Sequence, residues 1–229
     1  MKNNEVTERL KHFEIFSYLT EKDLQEAKKF IYSRTYRKGQ ILFMEGDPRE
    51  RIYFLLEGFV KLEKANPSGT MLYYDYVKRN NMFPYGGLFA DTTYHYSAEA
   101  VTDVELYYMP TVIFESMVKK NRHQLIHIVN HLSEILELHE SRVQKITTPN
   151  AHDRVIQAIH YLMHDLGEID GEHVVIHCPI TTTDISKISA TSRETVSCVL
   201  KQLKNDHIIA LSGKKITVHN PKFFKEASL

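Results

Sequence analysis

From Arg122 to Thr147 the chain carries neither glycine nor proline, between Pro110 on one side and Pro149 on the other. Such a run reads as one long helix. Within it Leu125, Val129, Leu132, Leu136, His139, Val143 and Ile146 recur in alternating steps of four and three. That is the a/d seam of a heptad repeat with one polar member. A seam held at this spacing meets another helix, so the stretch predicts a homodimer. The competing reading packs the same stripe on the chain's own β region. Either way, the helix separates two regions of different texture.

On its N-terminal side, residues 8–30 suggest one or two short helices, with Thr20 as cap and Asp23 at the third position. From Tyr32 to Met109, short runs of Tyr, Phe, Val, Ile and Leu alternate with turn signals. These are Lys38-Gly39, Glu45-Gly46-Asp47-Pro48, Glu57-Gly58, Asn66-Pro67-Ser68-Gly69 and Gly86-Gly87. Turns at such regular spacing indicate an antiparallel sandwich or barrel. Pro110 suits the first turn of a helix over Thr111–Lys119.

On its C-terminal side, Thr148-Pro149-Asn150 breaks the helix, because the residue before proline is pushed out of the α region. Asn150 then caps a helix over Ala151–Leu166, which ends near Gly167. Val174–His177 reads as a strand, and Thr181–Asp206 as two short helices around a tight junction. Ile208–Leu211, Ser212-Gly213 and Ile216–His219 make a small hairpin. Helices followed by such a hairpin describe a winged helix-turn-helix. The expected class is α+β, divided into a β-roll over 1–121, a dimerisation helix over 122–148 and a DNA-binding domain over 149–229.

Composition narrows the function. The 229 residues are 42% hydrophobic and 25% charged, with zero formal net charge. No apolar run approaches the ~20 residues a bilayer requires, and the mixed, charged N-terminus is unlike a signal peptide. Cys178 and Cys198 form neither a disulfide framework nor a metal cluster. These features predict a cytoplasmic protein without a membrane partner. Zero net charge argues against a non-specific polyanion binder, yet Arg193, Lys201 and Lys204 stand against Glu194 alone in the last predicted helix. An enzyme with a cupin-like cavity needs a His/Glu cluster on strands, and His95 is the only histidine between residues 13 and 122. No catalytic residue is assigned.

With these pieces in place, the chain resembles the Crp/Fnr family of transcription regulators. Ile180–Leu203 matches the family's helix-turn-helix without a gap, and Ser192-Arg193-Glu194-Thr195-Val196 is the most specific stretch. The likeness extends through the β-roll, the long helix and the wing. It implies a β-roll of the cyclic-nucleotide-binding, double-stranded β-helix type, a homodimer on double-stranded DNA, and RNA polymerase as partner. It implies a DNA-contacting set of Thr181, Thr182, Ser192, Arg193, Glu194, Thr195, Ser197, Cys198 and Lys201. Arg193 and Glu194 would read G and C in a TGTGA-like half-site, through guanine O6/N7 and cytosine N4. Thr181 and Thr195 would contact phosphates. Within the family the chain looks most like regulators of arginine deiminase genes in Gram-positive cocci, which implies control of anaerobic, arginine-catabolic genes.

Two departures lie in the reading segment. Cys198 stands where many members have a second base-reading Arg, and Ala190 where the turn often has Gly. Two more lie in the sensor. Family β-rolls hold cyclic AMP with a Gly-Glu pair and an Arg-Ser pair. Here Tyr85 replaces the Glu and Tyr96 the Arg. A tyrosine brings no positive charge to a phosphate, so family-style cyclic AMP binding is not expected. The effector-pocket candidates are Tyr85, Gly86, Tyr96, Ser97 and His139, the last also a register marker at the seam. Iron–sulfur members carry an N-terminal Cys cluster, and no Cys precedes Cys178, so that cofactor is excluded. Haem at His95 and a metal on His123, His127 and His131 are weighed against exposed or hydrogen-bonded histidines, and no metal site is assigned. The alternatives are a redox response through Cys198 on the reading face, and a β-roll binding another effector.

Overall fold

A computed structural model describes residues 3–65, 71–146 and 148–226. The expected turn at Asn66–Gly69 and the side chain of Ile146 lie outside the described residues. The chain divides into two compact units, Met1–Ile135 and Leu136–Leu229.

In the first unit, α1 (Asn3–Leu10) and α2 (Glu21–Lys28) precede eight strands. The Thr20–Asp23 pair forms the full reciprocal capping box that the sequence predicts for α2. The strands are β1 (Tyr32–Tyr36), β2 (Ile41–Phe43), β3 (Arg51–Glu57), β4 (Val60–Ala65), β5 (Met71–Val77), β6 (Met82–Phe83), β7 (Ser97–Ala100) and β8 (Val104–Pro110). They form two four-stranded sheets, ordered β1-β8-β3-β6 and β2-β7-β4-β5. Every pairing is antiparallel.

Residues from both sheets meet in one aromatic-rich cluster that includes Phe43, Tyr53, Leu55, Leu62, Phe83, Tyr94 and Leu106. The Phe43 and Tyr94 rings stack 3.8 Å apart. β3 is buried on both faces. Tyr53 and Leu55 enter this cluster, while Ile52, Phe54 and Leu56 enter a second one built with the helices. The strict alternation of side chains along a strand makes this double use possible. Gly58 follows β3 with φ 90°, and a Cβ there would collide with the backbone oxygen of Asp103. Glycine is therefore required in this hairpin.

After the roll come α3 (Thr111–Lys120) and α4 (Arg122–Ile146), and the division between the two units falls inside α4. Pro110 is the last residue of β8 and the N-cap of α3, one position earlier than expected. The heptad stripe of α4 is split. Leu125 and Leu132 pack partly against the helical cluster, alongside fully buried Ile128. Val129, Leu136 and Val143 stand 53%, 58% and 66% exposed. The reading that packs the stripe on the chain's own first unit thus holds for Leu125 and Leu132, and the other three side chains are left exposed.

The second unit contains α5 (Ala151–Leu166), β9 (Gly167–Asp170), β10 (His173–Ile176), α6 (Thr182–Ile188), α7 (Arg193–Asn205), β11 (Ile209–Ser212), β12 (Lys215–Val218) and α8 (Pro221–Glu226). Asn150 caps α5 as predicted, its side chain accepting from His152 N–H. Four strands form one antiparallel sheet, β11-β12-β10-β9. β9 and α8 extend the sequence expectation, which saw only one strand before the helix pair and nothing after the hairpin.

Candidate nucleic-acid interface

α7 turns one apolar face inward and one polar face outward. Val196, Val199, Leu200 and Leu203 are buried, whereas Arg193, Glu194, Ser197, Cys198 and Lys201 are exposed. The exposed set falls at i, i+1, i+4, i+5 and i+8, a single strip along the helix. The inward face rests on α5 and α6, whose buried residues include Ile159, Leu162, Ile185 and Ile188. The strip is thus presented on a fixed element at the polar edge of a packed core.

The N-terminus of α7 is set by Ser192, whose Oγ accepts from Thr195 N–H at 3.1 Å and lies 3.1 Å from Thr195 Oγ1. Hydrogen bonds from the backbone and from Ser192 hold the Glu194 carboxyl below the usual carboxylate range. Glu194 is therefore an anionic acceptor at neutral pH, as cytosine N4 requires. Ser197 donates to Arg193 C=O at 2.8 Å, so its hydroxyl proton turns back into the helix. The thiol of Cys198 is exposed. Cys178 is buried, and burial pushes its thiol pKa far up, so it is inert.

Thr181 opens α6 as the N-cap of a capping box with Asp184. Its hydroxyl donates to Asp184 Oδ2 at 2.6 Å and accepts from Asp184 N–H. That hydroxyl proton is engaged within the helix start rather than offered to a phosphate. Thr182 follows as the first residue of α6. The turn between α6 and α7 passes through Ala190 at φ 48°, with Thr191 N–H bonding back to Ser186 C=O at 3.1 Å. This is the left-handed closure that usually takes glycine.

Sequence reasoning gave Arg154 no role. Its Nε donates to Ser189 C=O at 3.1 Å, its Nη1 to Thr148 C=O at 2.9 Å and Pro149 C=O at 3.0 Å, and its Nη2 to Ala190 C=O at 3.3 Å. One guanidinium on α5 thus holds both the Thr148–Pro149 linker and the turn inside the helix-turn-helix. In the sequence Arg154 is one cation on an amphipathic helix, and nothing local marks it. Asp184 was not singled out in the sequence either, although Thr181-x-x-Asp184 repeats the Thr20-x-x-Asp23 signature and could have marked it.

The sensor candidates divide. Tyr85, Gly86 and Tyr96 come together. The Tyr96 phenol is hydrogen-bonded by the backbone of Gly86 and Tyr85, and burial raises its pKa. Its ring lies 3.5 Å from where a Cβ on Gly86 would sit. Tyr85 packs against the helical cluster, with its ring centroid 4.9 Å from that of His131 on α4. Burial raises the pKa of Tyr85 as well, so both phenols are neutral donors at physiological pH. Ser97 Oγ accepts from Glu45 N–H at 3.0 Å. His139 is half-buried and lies in the second unit.

The loop carrying Tyr85 and Gly86 is anchored at Phe89. Its N–H donates to Glu115 Oε1 at 2.9 Å, and the same oxygen pairs with the buried Arg49 guanidinium at 2.8 Å. Of the histidine row on α4, His123 is exposed, and the other two are engaged in packing. His127 faces Glu14 and the Tyr18 ring, and His131 faces Glu134 and Tyr85. His95 pairs with Asp91 at 3.0 Å. No group of three or more His, Cys, Asp or Glu able to hold a metal occurs among the described residues. Nor is any described helix long and apolar enough to cross a membrane.

Comparison with known proteins gives the same two-part picture. Residues 33–121 match the cyclic nucleotide-binding domain, and residues 153–227 the Crp-like helix-turn-helix domain. The chain is 28% identical over 214 residues to the HTH-type transcriptional regulator ArcR of Staphylococcus epidermidis, covering 93% of each chain. It is 28% identical over 191 residues to the global nitrogen regulator of a Nostoc species, covering 82% of this chain and 85% of that one. These relatives are transcription regulators by name, not enzymes. In fold, the chain is similar to FixK2 of Bradyrhizobium japonicum, with a TM-score of 0.74 and 21% identity over 86% of this chain and 96% of that one.

Proposed function

Given that the chain belongs to the Crp/Fnr family of transcription regulators, we propose that it acts in the cytoplasm as a homodimer reading a TGTGA-like palindrome. The observation that carries this reading is the exposed strip on α7, with Arg193 and Glu194 at its start and a fully buried opposite face. Arg193 takes guanine O6 and N7, Glu194 accepts from cytosine N4, and Ser192, Thr195 and Lys201 supply phosphate contacts that fix register. Two copies pair through Val129, Leu136 and Val143, placing two such strips one DNA turn apart. Thr148-Pro149-Asn150 is the hinge between an N-terminal sensing part and the reading part, and RNA polymerase is the partner at the promoter. The relatives named ArcR support arginine-catabolic genes as targets.

Cyclic AMP does not fit the sensor in the family's manner. Tyr85 and Tyr96 bring no cation, and the Tyr96 phenol already occupies the Gly86 backbone. The roll is read as a receptor for another effector.

Footprinting on the promoters of the source genome tests the reading. Protected palindromes with G and C at the Arg193 and Glu194 positions are expected. Arg193→Ala weakens specific binding by about 1–3 kcal/mol and relaxes preference at one base pair, while sedimentation still reports the dimer. Unchanged base preference in Arg193→Ala overturns the assignment.

A further inference from the structure

A cavity of about 210 Å³ lies between the C-terminal turns of α4, α5 and the end of α6, wholly within the second unit. Leu138, Ala158, Tyr161 and Ile188 supply apolar wall, and Arg142 and Arg154 supply two guanidinium groups. His160 and His164 also border it, and no acidic side chain does. The dimer-seam residues Leu136, His139 and Val143 are absent from its lining, so pairing along that seam leaves the cavity's wall on α4 in place.

Neutral groups hold the two cations. Arg142 lies over the Tyr161 ring at 4.9 Å, and Arg154 is bonded to four carbonyl oxygens. Among the described residues neither has a carboxylate partner. A guanidinium has five N–H donors. Arg154 spends four, so one on Nη2 remains. A wall of this kind, apolar with two cations held by neutral groups, complements a molecule with an apolar body and one negative end. A cavity of about 150 Å³ holds benzene, so this one suits a guest of roughly eight non-hydrogen atoms.

We propose that this cavity is an effector site for a small amphipathic monocarboxylate. Its carboxylate bridges Arg142 and the spare Nη2 donor of Arg154, and its chain lies against Leu138, Ala158 and Ile188. Because Arg154 holds the Thr148–Pro149 linker and the Ser189–Ala190 turn, a carboxylate that pins it also stiffens the reading helix pair. Bound ligand therefore raises operator affinity, and operator raises ligand affinity by the same factor. This coupling rests on the DNA-reading function proposed for α7.

The test is calorimetry of the full chain with hexanoate and with hexanamide, its neutral counterpart. One hexanoate per protomer is expected, with hexanamide and the Arg142→Met protein both roughly tenfold weaker or worse. In gel shifts, saturating hexanoate tightens operator binding about fivefold or more in the parent chain and not in Arg142→Met. Equal binding of acid and amide, or binding of neither, overturns the site. Unchanged or weakened operator binding in saturating hexanoate overturns the coupling. Failure to bind any palindrome both without ligand and in saturating hexanoate instead defeats the DNA-reading function, and calorimetry still decides the site.

Discussion

At the scale of single residues, the reading proposed for the α7 strip makes it a partial version of the family's code. Arg193 and Glu194 present the donor fork and the acceptor, but Cys198 places a thiol where an arginine fork would make a further bidentate contact. Cys198→Arg is expected to add about 1–3 kcal/mol of discrimination for one further base pair, read by competition between operators differing at that position. Ala190 is a second residue-scale compromise. It sits at φ 48°, where a Cβ crowds the following carbonyl. Ala190→Gly relieves this and returns some freedom to the unfolded chain. The net expectation is about 0.5–1 kcal/mol of added stability in urea unfolding. Both departures were legible in the sequence because each differs from the pattern of the family that the chain resembles. Arg154 was not, since its importance lies in four backbone carbonyls that the fold brings to it from two separate segments.

At the scale of elements, several helix starts and turn glycines were legible, though the start of α8 was not. The threonine caps of α2 and α6, the asparagine cap of α5 and the hairpin at Gly58 are each set by chemistry within a few residues. β9 escaped detection because Gly167-Glu168-Ile169-Asp170 has no alternating apolar pattern and is a strand only through its pairing with β10. The orientation of Tyr85 escaped for a similar reason. The sequence places it in the sensor loop but not which cluster its ring joins. That loop depends on a non-local contact, since Glu115 of α3 holds both Arg49 and the Phe89 N–H. The Arg49 side chain is 1% exposed. Glu115→Ala leaves that guanidinium buried and uncompensated, so a loss of about 3–5 kcal/mol is expected in denaturant unfolding. A loss below about 1 kcal/mol would mean that water reaches Arg49 freely.

At the scale of the whole molecule, the order roll, long helix, winged helix-turn-helix followed from three sequence textures in succession. The heptad stripe carried less than its regularity suggested, because a helix seam looks the same whether it faces another chain or its own. Leu125 and Leu132 face inward, and Val129, Leu136 and Val143 face solvent. Leu136→Glu is expected to weaken pairing by about 3–6 kcal/mol, counting the loss once on each copy. The variant should sediment as a monomer, with unchanged helix content by circular dichroism, and should lose the operator. A Leu136→Glu protein that remains dimeric would place the seam elsewhere.

Pairing through the three exposed residues on α4, as proposed above, has a consequence for the living cell. A protein that must pair before it can grip a palindrome responds to its own supply. Where pairing is incomplete, dimer concentration follows roughly the square of protomer concentration, by mass action. With protomers mostly unpaired and the operator far from saturated, halving synthesis then cuts promoter occupancy to about a quarter rather than a half. Gene dosage, translation rate and proteolysis become inputs as real as any small molecule, and a bare apolar stripe converts a graded change in supply into a sharper change in transcription.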